Sequence, residues 1–206
     1  MERTEKSIAK NKETKALEAL LNNSRTHLQK NGLSQKFLNA LAHCFPKTLL
    51  PNFAGVYNIS QANYRLLNKG MGQEYSCILN LCTDKDVSDG KVGHYVGIIK
   101  NKKYTLYLDP FGLPVLRNDV AKIMLASKGE GRFFYNRKRV QSANSSFCGL
   151  YALLFLLKMH ENEYLRSKNK RAKNLIFAED DAGGKNDERC VEYLIELVQN
   201  YMNDDA

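Results

Sequence analysis

Apolar positions recur at helical spacing near both ends of the chain and alternate at strand spacing through its middle. Ser34 to Cys44 places Phe37, Leu38, Leu41 and Ala42 on one side of a helix, with Pro46 beyond its end. "NFAGVYNISQ" reads as a loop and short strand, "YSCILNLC" as an apolar strand, and "GHYVGIIKNKKYTLYLDPFG" alternates like a β-hairpin. "RNDVAKIMLASKG" predicts a short helix ending at Gly129, and "RFFYNRKRVQ" a strand. After Cys148 the run from Leu150 to Leu157 is apolar nearly all round, which predicts a buried helix reaching about His160. A basic, then acidic stretch from Arg166 to Lys185 reads as loop or partial helix. The last amphipathic helix carries Val191, Leu194, Ile195, Val198 and Tyr201.

Ahead of this pattern, residues 1–33 show only a thin stripe (Ile8, Ala16, Leu17, Leu20, Leu21, Leu28) and a stop at Asn31-Gly32. They are expected to form a polar helical extension, open to removal, in front of a domain spanning 34–206. There are no internal repeats. Helices flanking a small, mostly antiparallel or mixed sheet give an α+β fold.

At 206 residues the chain is long enough for one substantial core. Its longest apolar run is far too short to cross a bilayer, and "MERTEKSIAKNKETK" lacks the apolar centre of a signal peptide. A soluble, intracellular protein without membrane contact is therefore expected, and a monomer. Five cysteines (Cys44, Cys77, Cys82, Cys148, Cys190) form an odd set without CxxC spacing, as in a protein that keeps its thiols reduced. A zinc site from Cys77, Cys82 and the His43–Cys44 pair would fit no common ligand spacing, so no metal is expected. The net charge of +9 favours a polyanionic partner, nucleic acid first; a solvated basic surface reads the same from charge alone.

The chemistry centres on Cys148. It stands where the polar "QSANSSF" gives way to the apolar run, and Ser145 or Ser146 is a good N-cap. The sulfur then falls in the first helical turn, where unsatisfied N–H groups and the helix dipole favour a thiolate. Gly149 leaves room beside it for a substrate backbone. A core cysteine at a helix start would read the same from this segment, so the availability of a base decides between them. His27 lies in the polar extension, His43 points away from its neighbour Cys44, and His160 sits at a helix end. His94 opens a strand. With the hairpin turn centred between Asn101 and Lys102, His94 faces Asp109 directly, Val96 faces Tyr107 and Ile98 faces Thr105. That register makes a nucleophile–base–orienter set of Cys148, His94 and Asp109, and a slip of one residue would break it. Taken without the cysteine, these are an ordinary strand-end histidine and a turn-opening Asp-Pro. Gln141, seven residues before the thiol, can donate into an oxyanion hole beside the Cys148 N–H; alone it is a surface glutamine at a strand end.

Together, "GHYVGII", "YLDPFG" and "VQSANSSFCGLYALLFL" resemble the adenovirus protease (adenain) group of cysteine endopeptidases. That group includes the maturation proteases of virophages and Polinton-type elements, with ubiquitin-like-protein proteases as more distant relatives. The resemblance spans Gln35 to Leu157 and rests on residue types, chain order and flanks together, including "Q-x-x-N-S-x-x-C-G-L". It implies an adenain-like fold with the catalytic cysteine at the head of a buried central helix. It also implies the order His94, Asp109, Gln141, Cys148 for the catalytic set, with Gly93, Tyr95 and Gly149 against substrate. Tyr95 stands where many relatives carry tryptophan. The stretch "EGRFFYNRKRV" has no cysteine to anchor a disulfide-linked peptide activator, so the resemblance does not extend to one.

The resemblance further implies cleavage of viral capsid or core precursors at glycine-containing sites, in the virion or at the assembly site of an infected cell. No cofactor is required. Double-stranded DNA is implied as a non-covalent activator, with "NRKR" (Arg137, Lys138, Arg139) and "RSKNKRAK" (Arg166, Lys168, Lys170, Arg171, Lys173) as its candidate contacts. Two rivals remain: an isopeptidase acting on a ubiquitin-like modifier, and a nucleic-acid-binding structural protein with an inert cysteine.

Overall fold

Ser34 acts as the N-cap that its place in the sequence suggests: its hydroxyl accepts the Phe37 N–H at 3.2 Å and caps helix α1, Gln35–His43. Leu38, Leu41 and Ala42 are buried and Phe37 packs partly buried beside them. The computed structural model describes residues 34–68, 74–89, 93–125, 132–167 and 185–203, with Ala19. The rest of the predicted extension over 1–33 lies outside these residues, as does the basic run 168–173.

Strand β1 (Phe53–Asn58) leads into α2 (Ile59–Ala62), which is opened by a reciprocal cap between Asn58 and Gln61 and continues as a π-helical turn, Asn63–Asn68. Then come β2 (Tyr75–Asn80), α3 (Asp84–Ser88), β3 (Tyr95–Lys100), β4 (Tyr104–Leu108), α4 (Asn118–Leu125) and β5 (Arg132–Tyr135). Helices α5 (Cys148–Ser167) and α6 (Lys185–Asn203) complete the described elements.

The fold is α+β, with a five-stranded mixed sheet in the order β1-β2-β3-β4-β5. Half of its pairings are parallel (β1 with β2, β4 with β5) and half antiparallel, so it is less antiparallel than the hairpin pattern suggested. Each parallel pair is joined by a crossover containing a helix, as parallel pairing demands. Strands β2 and β3 are buried at all six positions each, because helices cover both faces. One face packs Val56, Ile78, Tyr95 and Ile99 against α5; the other packs Val96, Ile98 and Tyr107 with Val120 and Ile123 of α4.

Helix α5 is the axis of the core. Leu150, Tyr151, Ala152, Leu153, Leu154, Leu156 and Leu157 are all 0 % exposed. Gly97 lets this helix approach the sheet: a Cβ there would stand 3.2 Å from Leu156 Cδ2 and 3.3 Å from the Ala152 carbonyl.

Several boundaries depart from the sequence pattern. Helix α5 runs to Ser167 instead of stopping near His160, and a buried Lys158–Glu161 ion pair at 2.7 Å satisfies the charges that its continuation brings inward. The strand predicted over "RFFYNRKRVQ" closes at Tyr135, because the next side chain, Asn136, turns inward onto Asp109. Helix α4 is described to Leu125, and the rest of the predicted helix to Gly129 lies outside the described residues.

Gly97→Val is expected to overpack the α5–sheet contact at a cost of about 1–3 kcal/mol. Urea unfolding checks this: the midpoint should fall while the slope is unchanged.

Candidate active site

The β3–β4 hairpin carries two of the residues singled out above, in a different register from the one predicted. Ile98 opposes Tyr107 and Lys100 opposes Thr105, so the turn is centred on Lys102-Lys103, one residue later than expected. Moving a turn centre by one residue moves the pairing by two, and this preserves the face on which every side chain lies. His94 and Asp109 are therefore diagonal neighbours on one face instead of direct partners. Their side chains still meet, His94 Nε2 lying 2.8 Å from Asp109 Oδ1. The ring opposite His94 is that of Phe111, stacked on the imidazole with centroids 4.7 Å apart and planes at 23°.

Asp109 is buried, with 3 % of its side chain exposed. A buried carboxylate must be satisfied by donors. Oδ1 accepts the His94 ring and the Phe111 N–H at 2.7 Å, and the Tyr107 hydroxyl also bonds the carboxylate. Burial first, then the charge and hydrogen bond of Asp109, pushes the Tyr107 phenol far above its usual range. Asn136 fixes the backbone of Asp109: its Oδ1 accepts the Asp109 N–H at 2.7 Å and its Nδ2 donates to the Asp109 carbonyl at 2.6 Å. Gly112 completes the turn at φ +68°, where a Cβ would sit 2.7 Å from the Arg137 carbonyl.

Cys148 is the first residue of α5 and 8 % exposed. The capping differs from expectation. The Phe147 carbonyl accepts the first helical bond, from Tyr151 N–H, while the Ser145 hydroxyl accepts the Phe147 N–H one residue outside the helix. The N–H groups of the first turn thus have no partner within the helix, at the end of α5 that begins with Cys148. His94 hydrogen bonds with Cys148 as well as Asp109. Because Nε2 is on the carboxylate, Nδ1 is the nitrogen left for the thiol. Burial alone lowers the pKa of His94; the hydrogen bonds to Asp109 and Cys148 and the charges of both outweigh it and carry the ring up to about 9.

Gln141 is buried, at 1 % exposure, and is anchored through its backbone N–H to the Pro110 carbonyl. Its Nε2 donates to the Ser145 carbonyl at 2.8 Å, leaving one N–H of the amide, and its Oε1 accepts nothing among the described residues. Gly93 abuts the Asn80 amide so closely that a Cβ would fall 1.6 Å from Asn80 Oδ1. Gly149 is buried. Tyr95, expected against substrate, is instead only 4 % exposed, packed in the core and hydrogen bonded to Asn80.

Of the basic candidates, Arg137, Lys138 and Arg139 are described and all three are exposed. Arg137 lies over the Tyr135 ring at 5.7 Å, and Arg139 over the Phe111 ring at 5.6 Å with Nε donating to the Gln141 carbonyl. The Arg166 side chain and Lys168, Lys170, Arg171 and Lys173 lie outside the described part of the chain. No three potential metal ligands cluster among the described residues, and Cys77 and Cys190 are wholly buried. The sequence pattern gave no warning of Tyr107, Asn136 and Ser145 as supports. Phe111 was also missed, though it carried a signal in its fixed place in "DPFG".

No protein-family model matches this chain, and no curated protein does. Among solved structures, the ASFV pS273R protease overlays with a TM-score of 0.39 at 14 % identity, covering 71 % of this chain and 60 % of that one. AvrA delL154 with IP6 and CoA gives 0.42 at 14 % identity, covering 87 % and 80 %. The C-terminal Ulp1 protease domain in complex with Smt3, the yeast orthologue of SUMO, gives 0.39 at 16 % identity, covering 82 % and 77 %. The chain thus spans less than two thirds of the length of the first.

A ring whose pKa is raised from 6.5 to about 9 stabilises the fold fully below 6.5 and loses that contribution as pH rises through about 9. NMR titration of the His94 ring is expected to show a midpoint near 9 in the wild type. In Asp109→Asn, without the carboxylate, the midpoint should move toward lower pH.

Proposed function

We propose that this protein is a cysteine endopeptidase that cleaves precursor proteins of a viral capsid or core. The observation that carries the reading is a single imidazole held between a buried carboxylate and a thiol at the head of a buried helix. In the proposed mechanism His94 Nδ1 takes the thiol proton and the sulfur of Cys148 attacks the scissile carbonyl carbon. The developing oxyanion is met by the N–H groups at the head of α5 and by the second N–H of the Gln141 amide. His94 then gives its proton to the leaving amine as the C–N bond breaks, and a thioester remains. Water, deprotonated by His94, attacks the thioester and releases the acid and the thiol. Asp109 holds the ring in one orientation throughout and offsets its charge.

Precursor substrates follow from the motifs shared with the adenain group, as do activity in the virion or at the assembly site and stimulation by double-stranded DNA. A cleft admitting glycine beside the cut bond suits a cysteine that is only 8 % exposed and is followed in its helix by Gly149.

Cys148→Ala is expected to abolish cleavage of co-expressed capsid precursors, with new N-termini in the wild-type sample mapped by mass spectrometry. Processing that persists in Cys148→Ala would defeat the reading. Selective cleavage of ubiquitin-like fusions run in parallel would convert it to that of an isopeptidase.

A further inference from the structure

The segment from Val140 to Phe147 joins the oxyanion candidate to the nucleophile and has no helix or strand of its own. Its ends are tied to the start of α6, forty residues further along the chain. Asn186, 1 % exposed, donates its Nδ2 to the Val140 carbonyl at 2.9 Å, immediately ahead of Gln141. Asp187 Oδ1 accepts the Ser145 hydroxyl at 2.8 Å and the Tyr151 hydroxyl at 2.9 Å. Ser145 is the centre of the arrangement. Its hydroxyl gives its proton to Asp187 and accepts the Phe147 N–H at 3.2 Å, and its carbonyl accepts the Gln141 amide at 2.8 Å.

From this network we infer that Asp187 is a positioning residue for the oxyanion hole. Resting on the proteolytic reading above, it acts through Ser145 to orient the Gln141 amide against the N–H groups at the head of α5. The direction of the hydrogen bonds supports this role. A serine hydroxyl has one proton, and only when an acceptor takes it is the oxygen held with its lone pairs toward Phe147 N–H. A carboxylate is such an acceptor, and it forms a charge-assisted bond stronger than a neutral one. Tyr151, one helical turn after Cys148 and 0 % exposed, gives the same carboxylate a second anchor in the core. Without Asp187 the Ser145 hydroxyl is free to turn, the loop loosens and the Gln141 N–H loses its fixed direction. The cost falls on the transition state, since the oxyanion exists only there.

The test separates oxyanion geometry from general damage. Alkylation of Cys148 by iodoacetamide needs the thiol and His94 but no oxyanion hole, whereas peptide hydrolysis needs all three. In Asp187→Leu, kcat is expected to fall roughly 10- to 100-fold, a part of what loss of an oxyanion donor costs. KM and the Cys148 alkylation rate should stay within about twofold of wild type. Asp187→Asn, whose amide oxygen accepts both hydroxyls, should recover most of the activity. The inference is overturned if Asp187→Leu hydrolyses like wild type, if alkylation falls in step with hydrolysis, or if Asp187→Asn does no better than Asp187→Leu. A wild type that cleaves no peptide would count against the proteolytic reading alone. Amide exchange at Phe147 then decides the positioning role: it should quicken in Asp187→Leu and not in Asp187→Asn, and equal exchange in all three would overturn it.

Discussion

The contact between His94 and the buried carboxylate of Asp109 is the constraint around which the hairpin end is built. Removing a carboxylate from water costs several kcal/mol unless donors replace the lost hydration. Here the replacements are the imidazole, the Phe111 N–H and the Tyr107 hydroxyl, while Asn136 occupies both backbone groups of the same residue. Each donor comes from a part of the chain that has another reason to be there. Tyr107 and Phe111 flank Asp109 in the hairpin, and Asn136 continues the line of β5 beside β4. The parallel β4–β5 pairing is thus what brings an amide to the back of the candidate orienter. Losing it would leave the Asp109 backbone unanchored behind a carboxylate still held by its other donors.

The second constraint is the rigidity of α5. A helix buried on nearly all sides over its first three turns cannot shift its first residue without disturbing the whole core. That fixes Cys148 relative to the sheet through Gly97, and so relative to His94 at the head of β3. Cys148 thus opens a packed helix and His94 adjoins a packed strand, whereas Gln141 arrives on a segment with no helix or strand of its own. That asymmetry is why polar side chains gather there: Asn186 and Asp187 from α6, Arg139 on the Gln141 carbonyl, and the Pro110 carbonyl on its N–H.

Much of this was legible in the chain, and what was not has physical causes. The α+β fold, the capped α1, the hairpin and the buried helix after Cys148 follow from hydrophobic spacing and cap residues. The register was misplaced because "KNKK" offers no glycine or asparagine pair to mark its centre; here Asn101 uses its side chain to accept the Lys103 and Tyr104 N–H groups, which sets the turn one residue later. The error left His94 and Asp109 on one face because pairing shifts in steps of two. Tyr95 was misread because the step to the next residue in a strand reverses the side chain, sending it into the core while His94 stays at the cleft. Supports such as Asn136, Ser145 and Asp187 were invisible for another reason. Their roles come from contacts across 27 to 42 residues of chain, and a polar side chain has no periodicity that announces a partner.

Arg139 makes contacts in the fold that a charge count along the chain does not reveal. Counted along the chain, it belongs to a basic run suited to phosphate. In the fold, its guanidinium lies over one face of Phe111 while the imidazole of His94 is stacked on the same ring, and its Nε holds the Gln141 carbonyl. Once His94 has taken the thiol proton in the proposed mechanism, imidazolium, thiolate and carboxylate sum to one negative charge. The guanidinium over the Phe111 ring and the positive end of α5 both oppose that excess, and neither is a base that could take the proton from His94. The same cation therefore complements the buried charge and braces the segment that carries Gln141. An anion drawn to Arg139 from solvent would compete with both of these contacts.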